Sequence, residues 1–340
     1  MSLTADRPIL SQRRLAENPW WKLVFNLAGV LIAGLFVLIV FQVGRTLFAE
    51  GPFLSANNLR NITLRWLDYA MVAPAAVLIV AMGGVDLSVG AVLGLTGLIV
   101  SVLAPAVGLP VACLVGLLVA LIVGIINGLL AGGTRIHPAI ITLGMAVLLR
   151  GITLLTTQSS SMMLKEPGFL TAPALPWVGL GLGLLLGIPL ALVSLKRPLR
   201  RGEPGEKWST RLFYTASPYV LSAFMAGFAG LAFLGRLRAA VPTAGSGFEA
   251  EVLLIALLGG TPLTNLPISL GVVNLIGALL AGYGFSALQN MVNLAGGQIL
   301  LLEPVKGAAI LIVGLISTLY YFLVARIPSG AARDLATTEG

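Results

Sequence analysis

Charge is scarce in this sequence. Only 10% of its 340 residues are Asp, Glu, Lys or Arg, while 57% are hydrophobic and the mean hydropathy is +0.99. A soluble domain is excluded at that composition. Histidine and cysteine are scarcer still: His137 and Cys113 stand alone, which leaves no ligand set for a metal ion. Cys113 lies inside an apolar run without an intrachain partner, so cysteine usage carries no information on redox compartment. No Walker-type phosphate-binding sequence occurs, and no Ser/His/Asp or paired-carboxylate constellation is apparent, so nothing points to an enzyme. The formal charge of +8 sits in short connections without interleaved aromatics. That excludes a nucleic-acid platform and fits contact with anionic membrane lipid.

What the chain has in quantity is apolar length. Runs near the ~20 residues that cross a bilayer recur at 23 to 44, 66 to 83, 88 to 104, 109 to 131, 138 to 157, 174 to 195, 213 to 235, 250 to 261, 267 to 291 and 305 to 325. The eighth is too short for a full span, and the second and third are parted only by a short polar break. Residues 1–340 therefore form a single transmembrane domain, all-α because only helices or closed barrels satisfy the backbone in lipid. Short cytoplasmic connections collect Lys and Arg. With both termini inside, 13 of the 21 basic residues fall on the cytoplasmic side, so the expected topology has a cytoplasmic leader (1–22), a cytoplasmic loop (196–211) and a cytoplasmic tail (327–340). The first apolar run is too long for a signal-peptide core and is read as an uncleaved first helix.

The break itself reads "GGVDLSVG" at 83 to 90. Gly83 and Gly84 permit a tight turn, Asp86 can cap the helix that follows, and Ser88 can satisfy a neighbouring group. Asp86 is also an ionisable group at membrane depth, where such groups mark pathways. A second Gly-Gly pair, Gly259 and Gly260, follows an apolar run in "LIALLGGTPLTNLPISLG" at 254 to 271. Two interrupted segments in corresponding places, with five spans per half, point to an inverted five-plus-five repeat and a solute path between the halves.

Other residues divide into candidates and plain structure. The amides Asn127, Asn274, Gln289, Asn290 and Asn293 lie within or at the ends of spans. They can meet the hydroxyls of a neutral polyol or bond helix to helix, and any single one is assigned to packing first. Arg150, near the outer end of the fifth span, is expected to snorkel rather than to pair with an internal acid. His137 precedes a proline at a helix start and is read as a cap. Arg236, Arg238, Glu249 and Glu251 fall in an outer loop and are candidates for docking a partner protein.

Four blocks in order carry a family resemblance: "GGVDLSVGAVLGLTG", "HPAIITLGMAVLLRGITLL", "RAAVPTAGSGFEAEVLLIALLGGTPL" and "GALLAGYGFSALQNMVNLAGG". Over roughly residues 55 to 325 the chain resembles the permease subunit of bacterial ribose-type ABC importers. The resemblance implies a type II importer permease in the bacterial inner membrane that carries a small sugar or related polyol inward by alternating access. Its expected partners are a tandem ATPase, which holds ATP and magnesium, a second permease and a substrate-binding protein; this chain itself has no cofactor. One place departs from the family. Where an Asn-Glu-Ala-Ala core normally docks on the ATPase, this chain has "LKRPLRRGEPGEKWSTRLFYTASP" (195 to 218), with Arg200, Arg201, Glu206, Lys207 and Trp208 as the candidate contacts. Either a paralogous permease supplies the usual element in a heterodimer, which is favoured over a homodimer, or "GEKWSTRLF" docks in a shorter way. A stand-alone secondary transporter or facilitator with Asp86 as an ion-linked acid is the reading of a different class.

Overall fold

The computed structural model describes residues 19–48, 51–195, 208–261, 271–296, 303–304, 306–312 and 314–315. Among the described residues up to 296, nine helices follow one another: α1 (Pro19–Phe48), α2 (Ala56–Ala81), α3 (Val89–Val107), α4 (Leu109–Gly133), α5 (Pro138–Thr157), α6 (Leu175–Leu195), α7 (Trp208–Leu237), α8 (Phe248–Leu258) and α9 (Gly271–Leu294). Eight of them are long and apolar enough to cross a membrane. The exception is α8, with 11 residues, as its short apolar run predicts. Residues 306–312 and 314–315 are helical and belong to the expected tenth span, whose remaining residues lie outside the described residues, as do 262–270.

Helix ends follow local chemistry. α2 begins ten residues before the apolar run because Asn57, Asn58, Arg60, Asn61 and Arg65 are compatible with a helix though not with lipid, and Ser55 caps them by accepting the Asn58 N–H at 3.4 Å. At the start of α5, Pro138 occupies the first turn, where its missing N–H costs nothing, and His137 caps it by accepting the Ala139 N–H at 3.3 Å.

The core is formed by α2, α3 and α7, which bury most of their surface, whereas α1 and α5 leave most of theirs to lipid. Large apolar side chains such as Leu31, Leu38, Val147 and Leu155 stand exposed, which in a membrane protein is the ordinary outer surface. A two-stranded ribbon, β1 (Met162–Met163) with β2 (Ala239–Ala240) in antiparallel pairing, ties the α5–α6 connection to the α7–α8 connection.

The two Gly-Gly pairs end their helices by the same device. Gly83 (φ 74°) and Gly260 (φ 89°) both take the left-handed conformation. In the first turn Gly83 N–H reaches Val80 O and Gly84 N–H reaches Ile79 O; in the second Gly260 N–H reaches Leu257 O and Thr261 N–H reaches Ala256 O. This is the Schellman pattern, and it makes Gly83 the equivalent of Gly260, one residue away from the match that the paired glycines invite. The two turns are not inverted copies. α2 runs antiparallel to α9, since Asn58 meets Asn290 and Trp66 meets Leu279. α8 also runs antiparallel to α9, since Glu251 meets Gln289 and Gly259 meets Ala278. α2 and α8 therefore point the same way, and the echo between their ends is one of local geometry in one orientation.

Candidate functional site

Two polar clusters are embedded in the helices. The first is the break between α2 and α3. Asp86 is 9% exposed and its Oδ1 accepts the Ser88 N–H at 2.9 Å and the Ser88 hydroxyl at 2.7 Å. Its Oδ2 accepts the Ser222 hydroxyl of α7 at 2.8 Å. Asn127 of α4 donates to Ser88 Oγ at 2.9 Å, and the Thr142 hydroxyl of α5 accepts the Leu87 N–H at 3.1 Å and donates to Val85 O at 3.2 Å. The carboxylate thus turns back on the residue two positions ahead, in the manner of an Asx turn, and pins the break to α7. Asp86, Ser88 and Asn127, read separately in the sequence as a cap, a neighbouring hydroxyl and a packing amide, are brought together, with Ser222 as a fourth member that no local pattern marks. Gly84 allows the turn to lie against Tyr219.

The second cluster lines a cavity of 520 Å³ beside the first turns of α2, the last turn of α7 and the last turns of α9. Asp68, buried in α2, is ion-paired with Arg236 in the last turn of α7. Arg65 stands one turn before Asp68 and lines the same cavity. At the floor, Tyr69 donates its hydroxyl to Glu251 at 2.7 Å and its ring stacks on Phe248 with centroids 5.3 Å apart. Glu251 also accepts from Gln289 at 2.7 Å and from the buried ammonium of Lys306 at 3.0 Å, which is ion-paired with Glu303 as well. Carboxylates in the first turn of α8 sit at the positive end of its dipole.

This geometry corrects several expectations. The segment after α7 was expected to be an outer loop presenting Arg236, Arg238, Glu249 and Glu251. Instead it folds back into the protein until Gly245 touches the backbone of Gly90, where a Cβ on either residue would come within 2.0 Å of the other's carbonyl oxygen. Glu251 is 6% exposed and ion-paired, and Arg236 is held by Asp68. Glu249 is bound by Arg150 at 2.9 Å, so Arg150 pairs across the bundle instead of snorkelling. Burial in lipid makes an unpaired charge costlier than a fixed side chain. Arg238 alone of the four is exposed.

The remaining candidates are dispersed. Asn290 exchanges two hydrogen bonds with Asn58, at 2.8 and 2.9 Å, as a helix-to-helix amide pair. Gly259 and Gly260 pack on Ala278 of α9 and Gly29 of α1, away from Gly83 and Gly84. Asn274 is wholly buried, and neither side-chain atom has a partner among the described residues. Arg200, Arg201, Glu206 and Lys207 lie outside the described residues; Trp208 opens α7 and is 67% exposed. Among the described residues no group of His, Cys, Asp and Glu is placed to hold a metal. The sequence did contain one unused signal for the cavity. Asp68 is a lone acid at the start of an apolar run, the kind of residue that marks a functional position in a membrane helix.

Comparison with known proteins bears on the architecture as a whole. The ribose import permease of Escherichia coli is 33% identical over 257 residues, covering 68% of this chain and 77% of that protein. The chain belongs to the ribose-type ABC import permease family. A probable ABC transporter permease of Sinorhizobium fredii is 30% identical to this permease over 308 residues, 84% of this chain and 87% of the relative. The D-allose transport system permease of E. coli is 29% identical over 224 residues, 62% of this chain and 69% of the relative. No family model matches the chain, and no solved structure matches it significantly. The family, together with eight membrane-length helices, identifies an all-α permease and decides the choice between importer subunit and stand-alone transporter in favour of the former.

Proposed function

We propose that this permease forms half of the membrane channel of an ATP-driven importer that brings a small neutral sugar or related polyol into the bacterial cytoplasm. The observation that carries this reading is the match to sugar import permeases over two thirds of the chain. The composition of the sites agrees with it: amides, hydroxyls and balanced ion pairs suit a neutral polar cargo better than an ion. The energy comes from a tandem ATPase, which binds ATP and magnesium, because this chain has no phosphate-binding loop. A substrate-binding protein delivers the solute on the outer side, where Arg238 is the exposed candidate contact. On the inner side the 196–211 connection with Trp208 meets the ATPase, and its departure from the family pattern favours pairing with a paralogous permease. Both termini are then cytoplasmic, in the inner membrane.

Alternating access requires parts that hold their shape while the helices rock. The Asp86 cluster fits such a part, because it joins α2, α3, α4, α5 and α7 at one point. The test is uptake of radiolabelled sugars into proteoliposomes containing the chain with its co-purifying subunits. ATP-dependent accumulation of a pentose or hexose is expected, with one copy of this chain beside a second, different permease in the intact mass. Accumulation that is indifferent to ATP and follows an ion gradient would overturn the reading.

A further inference from the structure

Three helices meet imperfectly around the second half of α6 and the first half of α7. α4 and α6 both pack on α7 but barely meet each other, so a groove of 820 Å³ remains between them with α7 as its floor. Gly124 and Gly128 bring α4 down onto Val220 and Ala216 of α7. α6 carries no glycine beyond Gly187, so its bulkier last turns stand off and Leu186 and Leu190 become the opposite wall. Pro189 of α6 and Pro218 of α7 lie at the level of the groove, and a helix bends most readily at an internal proline. Along α7 the groove runs from Trp208 to Phe224, about 24 Å at ~1.5 Å per residue. That is close to the depth of one leaflet, half of a bilayer of about 40–45 Å. Trp208, at the end of the groove, is 67% exposed, and an exposed tryptophan at a helix end sits at headgroup level.

The lining decides the occupant. Apart from Ser209, Ser217 and the indole of Trp208 it is apolar, and it holds no charged residue. A polar solute would leave its own groups without partners there, whereas an acyl chain touches three helices at once and gains more contact than on an ordinary convex helix face. The headgroup follows from charge. Leu195 ends α6 and Trp208 opens α7, and residues 196–207, which join these two walls and lie outside the described residues, have Lys196, Arg197, Arg200, Arg201 and Lys207 against Glu203 and Glu206. At the same end of the bundle, where Gly132 of α4 meets Leu212 of α7, Arg135 is exposed in the turn after α4. Basic clusters directly beyond a membrane helix attract anionic lipid. We propose that the groove holds an acyl chain of an anionic phospholipid of the inner leaflet, with the phosphate at the level of Trp208, and that its occupancy raises ATP-driven turnover by steadying the ends of α6 and α7. The choice of leaflet and the effect on turnover rest on the importer reading; the groove and its occupant do not.

The test uses the full complex in nanodiscs of dioleoylphosphatidylcholine with a trace of phosphatidylglycerol that carries a diazirine on one acyl chain. After illumination, crosslinks are mapped by peptide mass, and ATP hydrolysis is measured on the same nanodiscs with and without added phosphatidylglycerol. Crosslinks are expected in the groove walls of α4, α6 and α7, several-fold above those on the lipid-facing sides of α1 and α5. Unlabelled dioleoylphosphatidylglycerol should compete them away where the choline lipid does not. Leu186→Trp and Ile125→Trp, at wall positions that are 45% and 40% exposed, fill the groove without entering the core. Each should reduce the groove crosslinks several-fold at an unchanged melting temperature and remove the stimulation of ATP hydrolysis by phosphatidylglycerol. Lys196→Gln should lower the preference for the anionic lipid about fivefold. Crosslinks spread evenly over the exposed helices would overturn the site, and equal competition by the choline lipid would overturn the anionic headgroup. Groove crosslinks that form only after the second permease is removed would give the groove to that subunit instead. Hydrolysis that ignores phosphatidylglycerol while the crosslinks persist would refute the effect on turnover. No ATP hydrolysis in any lipid would count against the importer reading and leave the groove assignment standing.

Discussion

Asp68 and Asp86 are both carboxylates buried within the bundle, yet they are satisfied in opposite ways. Asp86 has no ion pair among the described residues and is enclosed by hydroxyl and amide donors from Ser88 and Ser222. Asp68 has a guanidinium on one oxygen and no partner among the described residues on the other, which is closed off from solvent although the residue borders a cavity. A carboxylate whose hydrogen-bond shell is complete acts as a fastener, because any rearrangement strands several polar groups at once. One whose shell is half filled holds by its ion pair alone. The same residue type at membrane depth is thus fully satisfied in one place and half satisfied in the other, and its neighbours decide which.

Substitutions can separate these roles, with Cys113, buried at 5% exposure, as a thiol that reports unfolding. The largest effect is expected at the cavity floor. Glu251→Gln leaves the Lys306 ammonium with Glu303 as its one countercharge among the described residues, and Lys306→Met leaves Glu251 with the neutral donors of Tyr69 and Gln289; each should cost about 4 kcal/mol, with the double variant costing less than the sum. Additive losses in thermal unfolding would show that the pair is not coupled. Next comes Asp86→Ala, which removes the acceptor for three donors and should cost about 3 kcal/mol. Asp86→Asn should retain most of that stability and expression while impairing uptake; unchanged uptake would reduce Asp86 to a fastener that an amide replaces. Gly245→Ala, at φ +76° and against the Gly90 carbonyl, should cost about 2 kcal/mol through overpacking and displace the wall of the cavity. An unchanged melting profile would mean that the contact is looser than the backbone indicates. The smallest change is expected for Asn290→Leu, about 1 kcal/mol for an interhelical amide pair, with transport retained; lost transport at full stability would move Asn290 from packing to the solute path.

Much of this was legible in the chain itself. The apolar runs located eight membrane helices and the short α8, and the Gly-Gly pairs marked real helix ends with left-handed glycines. Asn127 was read only as a packing amide, while Asp86 and Ser88 were recognisable as polar members of the break because it interrupts an otherwise unbroken apolar pattern. Ser222 was not, since one serine in an apolar helix carries no periodic signal. The segment 236 to 251 was misread as a surface loop because its glycines, its proline and its charges have loop composition, whereas small residues equally let a backbone lie against α3.

The sequence by itself determined what each stretch is: a polytopic all-α membrane chain of the ribose-type permease family, with its breaks and caps in place. Only the tertiary structure decided which charges are free. Asp68 meets Arg236 across 168 positions, Glu249 meets Arg150 across 99 and Glu251 meets Lys306 across 55. Helical periodicity fixes the face on which a side chain lies, but not the helix that covers that face. The partner of a buried charge is therefore set by the packing of elements distant in the chain, and so is the choice between a complete shell and a half-filled one.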